Sequence, residues 1–211
     1  MIAGIVTDLT DWLDRISNHW WFLLIILAIA FFDSVIPIVP SETCVIIGGV
    51  AASQGYLNIF AVIGAGAIGA FLGDNTAYML GLRASHWFRR RADRKPKFAA
   101  KLHWAEQQIH ERGGLLLITA RFIPGGRTAL TLSSGITRQK RAWFVGWVTV
   151  AVIIWASYAA LLGRIGGEAF KDDHTKAFLF AFGLSIGANI IIEVTRHFAK
   201  KHRATQTPAL D

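Results

Sequence analysis

The chain has 211 residues, 53% of them hydrophobic and 17% charged, with a mean hydropathy of +0.41. A soluble domain carries about a quarter of its residues as charges, so this composition argues against an ordinary water-soluble fold. The balance is basic, 22 Lys and Arg against 14 Asp and Glu, but the positive residues cluster beside hydrophobic spans. That arrangement marks the cytoplasmic face of a membrane protein rather than a nucleic-acid-binding surface.

In chain order, residues 1–15 are acidic where a cleaved signal peptide is basic, so the segment is expected to remain. Residues 2–16 set Ile2, Ile5, Leu9, Trp12, Leu13 and Ile16 at helical spacing opposite Asp8, Asp11 and Asp14, which predicts an amphipathic interfacial helix. Trp20 and Trp21 open an apolar run to Phe32, and Asp33 interrupts it. Pro37 and Pro40 then break the helix, and Ser41 can cap a new one that reaches to about Ser53. That piece covers roughly 20 Å, short of a hydrocarbon core of about 30 Å. The segment predicts a re-entrant hairpin. Its lone cysteine, Cys44, cannot form an internal disulfide and reads as a small buried apolar residue.

From Leu57 to Leu82 the chain is apolar, interrupted only by Asp74 and Asn75, and long enough to span. Gly69 and Gly73 have the small-xxx-small spacing that lets helices approach closely. The span exits at Arg83 into the most basic stretch, residues 83–112. There Phe98, Leu102, Ala105 and Ile109 share one face of a second amphipathic surface helix after Pro96. His103 and His110 lie on that helix as solvated residues, and the seven histidines show no metal-ligand spacing. Residues 115–120 are apolar but short, and RFIPGGRTALTLSSG follows at 121–135. The proline and small residues between two short apolar pieces predict a second re-entrant hairpin. Arg138, Lys140 and Arg141 precede a charge-free spanning run at 142–163. A last apolar run, 177–192, ends in RHFAKKHR.

The pattern amphipathic helix, proline-centred hairpin, spanning helix therefore occurs twice. With the 83–112 loop in the cytoplasm, the basic 138–141 cluster and the basic C-terminus fall on the same side, as the positive-inside rule requires. An odd number of crossings separates the hairpins, so they enter from opposite faces. The expected fold is an all-α integral membrane protein forming one membrane domain. It has an inverted repeat with two opposed re-entrant hairpins, about three full spanning helices and amphipathic interfacial helices. Repeat one covers about 1–82, the cytoplasmic amphipathic segment 83–112, repeat two about 113–163, an extra C-terminal span 177–195 and a basic tail 196–211. Secondary transporters with such repeats bind their cargo where broken helices meet near the midplane.

Five ionisable residues lie at depths where each charge costs about 2.5–3.5 kcal/mol to insert: Asp33, Glu42, Asp74, Arg121 and Arg127. Unpaired, they would exceed the stability of a small protein, so they must pair, meet water or lose charge. Glu42 follows Pro40-Ser41 at one hairpin tip, and Arg121 and Arg127 bracket Pro124-Gly125-Gly126 at the other. Opposed tips bring acids and arginines together, with Arg121 against Glu42 and Arg127 against Asp33 as the simplest fixed pairs. Pro37, Pro40, Ser41, Pro124, Gly125 and Gly126 shape the tips. Arginine binds phosphate bidentately, and helix N-termini after the prolines add backbone donors. Three acids against two arginines leave a proton on one carboxylate as a natural means of balance. Asp74 with Asn75 reads equally well as a helix–helix polar contact.

At these residues the sequence resembles the DedA family of bacterial membrane proteins, also described as SNARE-associated or VTT-domain proteins. The resemblance runs from Asp33 to about Gly167. It is carried by PIVPSE with Gly48-Gly49 and Gln54-Gly55, by LGDNTAYMLG, by RFIPGGR with Gly135, and by Trp155 and Gly163. It implies two opposed re-entrant hairpins, translocation of lipid, notably the undecaprenyl phosphate carrier, and dependence on the proton-motive force. The family's functional acids map to Asp33 and Glu42 and its arginines to Arg121 and Arg127. Asp33 departs from the Glu of many members and is one methylene shorter.

The resulting expectation is a non-enzymatic transporter of a phosphate-bearing polyprenyl lipid between leaflets of the bacterial inner membrane, with its C-terminus cytoplasmic. Arg121 and Arg127 hold the phosphate, and Asp33, Glu42 and Asp74 serve proton coupling or ion pairing. Its partners are the lipid and protons, without nucleic acid, cofactor or metal, and a homo-oligomer stays open. Two other readings stand beside it: a proton-coupled antiporter of small cations or drugs, and a membrane polyprenyl-pyrophosphate phosphatase. The loop at 124–128 lacks the serine before arginine that such a phosphatase would use.

Overall fold

A computed structural model of the chain describes residues 19–36, 41–94, 107, 109, 114–122, 126–169 and 183. The amphipathic helix expected at 2–16, most of the second surface helix, and the last span at 177–195 with its basic tail lie outside the described residues. Among those described, every regular element is helical. The helices are α1 (Phe22–Val35), α2 (Ser41–Ser53), α3 (Ile59–Arg94), α4 (Leu115–Thr119), α5 (Gly126–Ile136) and α6 (Arg141–Ala169), with a 3₁₀ turn at Ala120–Phe122 after α4.

The breaks follow backbone chemistry. Ile36, at the end of α1, is extended (φ −126°, ψ 99°), as the residue before a proline is forced to be. After α2, Gly55 takes φ +84° and the Tyr56 amide bonds back to the Ala51 carbonyl, a left-handed helix end that suits glycine. Asn58 then accepts the Phe60 amide at 2.8 Å and caps α3,.

Two helices are long and apolar enough to cross a membrane, α3 over Ile59–Phe88 and α6 over Arg141–Ala169. Both outrun the spans read from hydropathy. α3 continues past Arg83 to Arg94 because arginine is a good helix former and the first breaker is Pro96. α6 continues past Gly163 through an exposed Arg164–Glu168 pair one turn apart, at 2.9 Å. α1 and α2, with 14 and 13 residues, are shorter apolar helices.

α3 and α6 pack on each other at the centre. α1 and α5 lie chiefly on α3, while α2 and α4 lie on α6. The close crossings are made at glycines. A Cβ on Gly69 would strike the Leu27 carbonyl of α1, which is the contact expected of the Gly69–Gly73 spacing. Gly81 and Gly135 meet Leu132 and Tyr78 across α3 and α5, and Gly49 and Gly163 meet Ala160 and Ile46 across α2 and α6. Inside are Ile26, Val45, Ile46, Val62, Phe144 and Val152, with Tyr78 stacked on Phe144 at 4.4 Å. Outside, large apolar side chains such as Phe60, Ile68, Leu72, Leu80, Ile153 and Leu161 are exposed. An outer surface of this kind is suited to lipid rather than water.

Candidate functional site

Four of the five deep charges meet in one cluster between α1, α3, the 3₁₀ turn and α5. Asp74 lies in the middle of α3, held against α1 by the close approach at Gly73. Arg121 comes from the 3₁₀ turn and donates to Asp74 Oδ2 through Nη2. Both side chains are 2% exposed. Arg121 also lies over the Trp155 ring of α6, 5.6 Å from its centroid, a cation–π contact that substitutes for part of its lost hydration.

Arg127, in the first turn of α5, reaches across to the end of α1. Its Nη2 donates to the Asp33 backbone carbonyl at 2.6 Å and lies 3.3 Å from Asp33 Oδ2. Its Nε stands 3.8 Å from Asp74 Oδ1, too far for a hydrogen bond. Arg127 and Asp33 are 12% and 16% exposed, so the cluster has a wetter side at Arg127 and a sealed side at Arg121. Ser41, the first residue of α2, is buried and donates its hydroxyl to Asp33 Oδ2. Thr128 bonds the Ser34 carbonyl at 3.3 Å and ties α5 to α1 beside the charges.

Two atoms of the sealed pair have no hydrogen-bond partner although shut from solvent: Asp74 Oδ1 and Arg121 Nη1. Buried polar groups are usually satisfied, and an unsatisfied one costs about 1–3 kcal/mol. The pair therefore meets through one oxygen and one nitrogen, leaving an acceptor and a donor for something else.

The structure rearranges the pairing expected from sequence. Arg121 closes on Asp74, where the hairpin argument set it against Glu42. Glu42 is half-buried in the first turn of α2, where the helix dipole favours an acid. Ser41, expected to cap α2, has its hydroxyl on Asp33 instead. Asn75 donates to the Phe71 carbonyl of its own helix at 2.8 Å, so Asp74 and not Asn75 makes the cross-element polar contact. Pro37, Pro40, Pro124 and Gly125 lie outside the described residues, while Gly126 opens α5. Sequence reasoning missed Trp155, Ser34 and Thr128 as parts of this site, because an aromatic or a small hydroxyl in an apolar helix carries no positional signal of its own. Among the described residues no group of three or more His, Cys, Asp and Glu side chains gathers to hold a metal.

Comparison with known proteins places these residues in a family. Residues 39–165 match the VTT domain. The chain is 28% identical over 172 residues to undecaprenyl phosphate transporter A of Bacillus subtilis, covering 80% of this chain and 84% of that one. It is 26% identical to undecaprenyl phosphate transporter A of Staphylococcus aureus, covering 77% and 80%. It is 25% identical to an alkaline phosphatase-like protein of Lactococcus lactis, covering 81% and 86%. No solved structure matches the chain.

Proposed function

Because the chain belongs to the VTT-domain family, we propose that it moves a phosphate-bearing polyprenyl lipid, of the undecaprenyl phosphate kind, between the leaflets of a bacterial inner membrane. The observation that carries this reading is the convergence of two guanidinium groups, Arg121 and Arg127, on Asp74 within a helical body whose outer faces are apolar. Buried arginines in carboxylate pairs are anion sites held shut by internal anions. A phosphate with its negative oxygens can engage guanidinium donors that those carboxylates leave unused,. The polyprenyl chain stays in lipid along the apolar outer faces of α3 and α6.

Transport needs access from both faces, and an inverted repeat supplies it. Its support here is the packing pattern. α1, α2 and α3 exchanged with α4, α5 and α6 reproduce the main helix contacts, and the Gly49–Gly163 crossing of α2 on α6 mirrors the Gly135–Gly81 crossing of α5 on α3. On this reading α1–α2 and α4–α5 are opposed re-entrant hairpins, in repeats of about 1–82 and 113–163 joined by a cytoplasmic 83–112 segment, with the C-terminus on the same side. Asp33, Glu42 and Asp74 are the proton-accepting groups, so that moving phosphate inward or outward is coupled to protons.

The test is reconstitution of the full chain in vesicles with a labelled polyprenyl phosphate, with and without a proton gradient. Wild type should move the lipid, and Arg127→Ala should not. Unchanged movement in Arg127→Ala overturns the assignment. The alkaline phosphatase-like relative raises a phosphatase reading. At the cluster the Ser41 hydroxyl is held by the Asp33 carboxylate. Release of inorganic phosphate from a polyprenyl pyrophosphate by the same vesicles would favour the enzyme instead.

A further inference from the structure

The unsatisfied atoms of the Arg121–Asp74 pair specify more than an anion. Asp74 Oδ1 is an acceptor and Arg121 Nη1 a donor, and both are buried. Each shares its carbon with an atom of the contact itself, so the free acceptor and the free donor belong to one ion pair. A group that satisfies the pair must therefore bring one acceptor oxygen for Arg121 and one O–H for Asp74, and a negative oxygen accepts most strongly from a guanidinium. A phosphate monoester in its singly ionised form has both. A doubly ionised monoester, or a diester, has oxygens only and would set a lone pair against the Asp74 carboxylate.

Resting on the phosphate reading above, we infer that Asp74 is a specificity-determining residue that selects the monoanion of a phosphate monoester, R–O–PO₃H⁻, and rejects phosphodiester headgroups. The P–OH donates to Asp74 Oδ1 while the P–O⁻ oxygens accept from Arg121 Nη1 and from Arg127. The proton stays on the phosphate as it crosses, hydrogen-bonded to Asp74, and passes to Asp33, Glu42 or water on the far side, so one proton moves with each lipid. Bulk membrane phospholipids are diesters, and the sealed donor–acceptor pair is how the site ignores them.

The surroundings of Asp74 fit this role. Arg121 from the 3₁₀ turn and Arg127 from α5 are the cations that face it. Asp33 at the end of α1 faces Arg127 and takes the Ser41 hydroxyl. Glu42 follows Ser41 in the first turn of α2, and α6 contributes the Trp155 ring beneath Arg121. Access is from the Arg127–Asp33 side, whose side chains retain 12% and 16% exposure against 2% for the inner pair.

The experiment is calorimetric titration of the full chain in nanodiscs with geranyl phosphate and with its methyl diester, between pH 5.5 and 8. The second ionisation of a phosphate monoester lies near pH 6, so the apparent Kd for geranyl phosphate should rise about 80-fold across that range as the monoanion disappears. The diester should bind about a hundredfold more weakly than the monoester at pH 5.5, because it leaves Asp74 Oδ1 unpaired. Asp74→Asn offers an amide N–H to a bare oxygen, so discrimination between the two ligands should collapse to within about threefold and the pH dependence should vanish. A purely steric exclusion of the methyl group would survive that substitution and would overturn the inference. Equal binding of both ligands by wild type, or a flat pH profile, overturns it without any variant. Binding of neither ligand at any pH overturns the phosphate reading itself, and this inference with it.

Discussion

A double-mutant cycle on Arg121 and Asp74 probes the buried pair most sharply. Asp74→Ala leaves a guanidinium that is 2% exposed without its carboxylate, and stranding one member of a buried pair costs about 3–5 kcal/mol. Arg121→Ala should fall at the low end of that range, because Arg127 Nε already stands 3.8 Å from Asp74 and can close on it. The double variant buries neither charge, so its cost should be smaller than the sum of the singles by about 2 kcal/mol or more, within the usual range for residues in direct contact. Reversible unfolding in mixed micelles, followed by helical ellipticity, measures all four proteins. The Arg164–Glu168 pair is an internal reference. At 45% and 49% exposure and one turn apart on α6, its cycle should return no more than about 0.5 kcal/mol. A double variant at Arg121 and Asp74 whose cost equals the sum of the singles to within about 0.5 kcal/mol would refute the reasoning, since the two groups would then not depend on each other.

Gly135→Leu drives a side chain into the Tyr78 carbonyl of α3 and should cost about 3 kcal/mol or more of stability, whereas Gly146→Ala on α6 meets nothing within 4 Å and should stabilise by up to about 1 kcal/mol; thermal unfolding of both variants checks the contrast. Trp155→Leu removes the ring beneath Arg121 and should lower stability by about 2 kcal/mol more than Trp155→Phe does, measured in the same unfolding assay. Ser41→Ala takes the hydroxyl from Asp33 and should destabilise by about 1–2 kcal/mol, with a slower lipid movement in vesicles as Arg127 loses a fixed partner.

Much of this architecture is written in local chemistry. Pro37 predicts the end of α1, and the structure ends it at Ile36 in the extended conformation a following proline demands,. The boundaries of α2 are legible from Pro40 and Gly55, and the close packing of α3 on α1 from the spacing of Gly69 and Gly73. Arg83 misleads, because a charge marks the end of an apolar stretch and not the end of a helix, and α3 runs on to Arg94. At the site, the need of Asp33, Asp74, Arg121 and Arg127 for partners was legible, since a charge in an apolar run is costly enough to demand one,. Which acid meets which arginine was not. Asp74 reaches Arg121 through the packing of α3 against residues 47 positions away, a tertiary fact that no spacing encodes. The same holds for Ser41, whose side chain serves the neighbouring helix rather than its own cap.

The proposed activity is the carriage of a lipid phosphate across the membrane by paired arginines. Its most direct measurement is the rate at which labelled polyprenyl phosphate becomes accessible on the opposite face of vesicles holding the full chain. Wild-type protein should speed that rate well above protein-free vesicles, and Arg127→Ala or Arg121→Ala should return it to the protein-free level. Rates in the arginine variants equal to wild type, or no acceleration by wild type at all, would contradict the account.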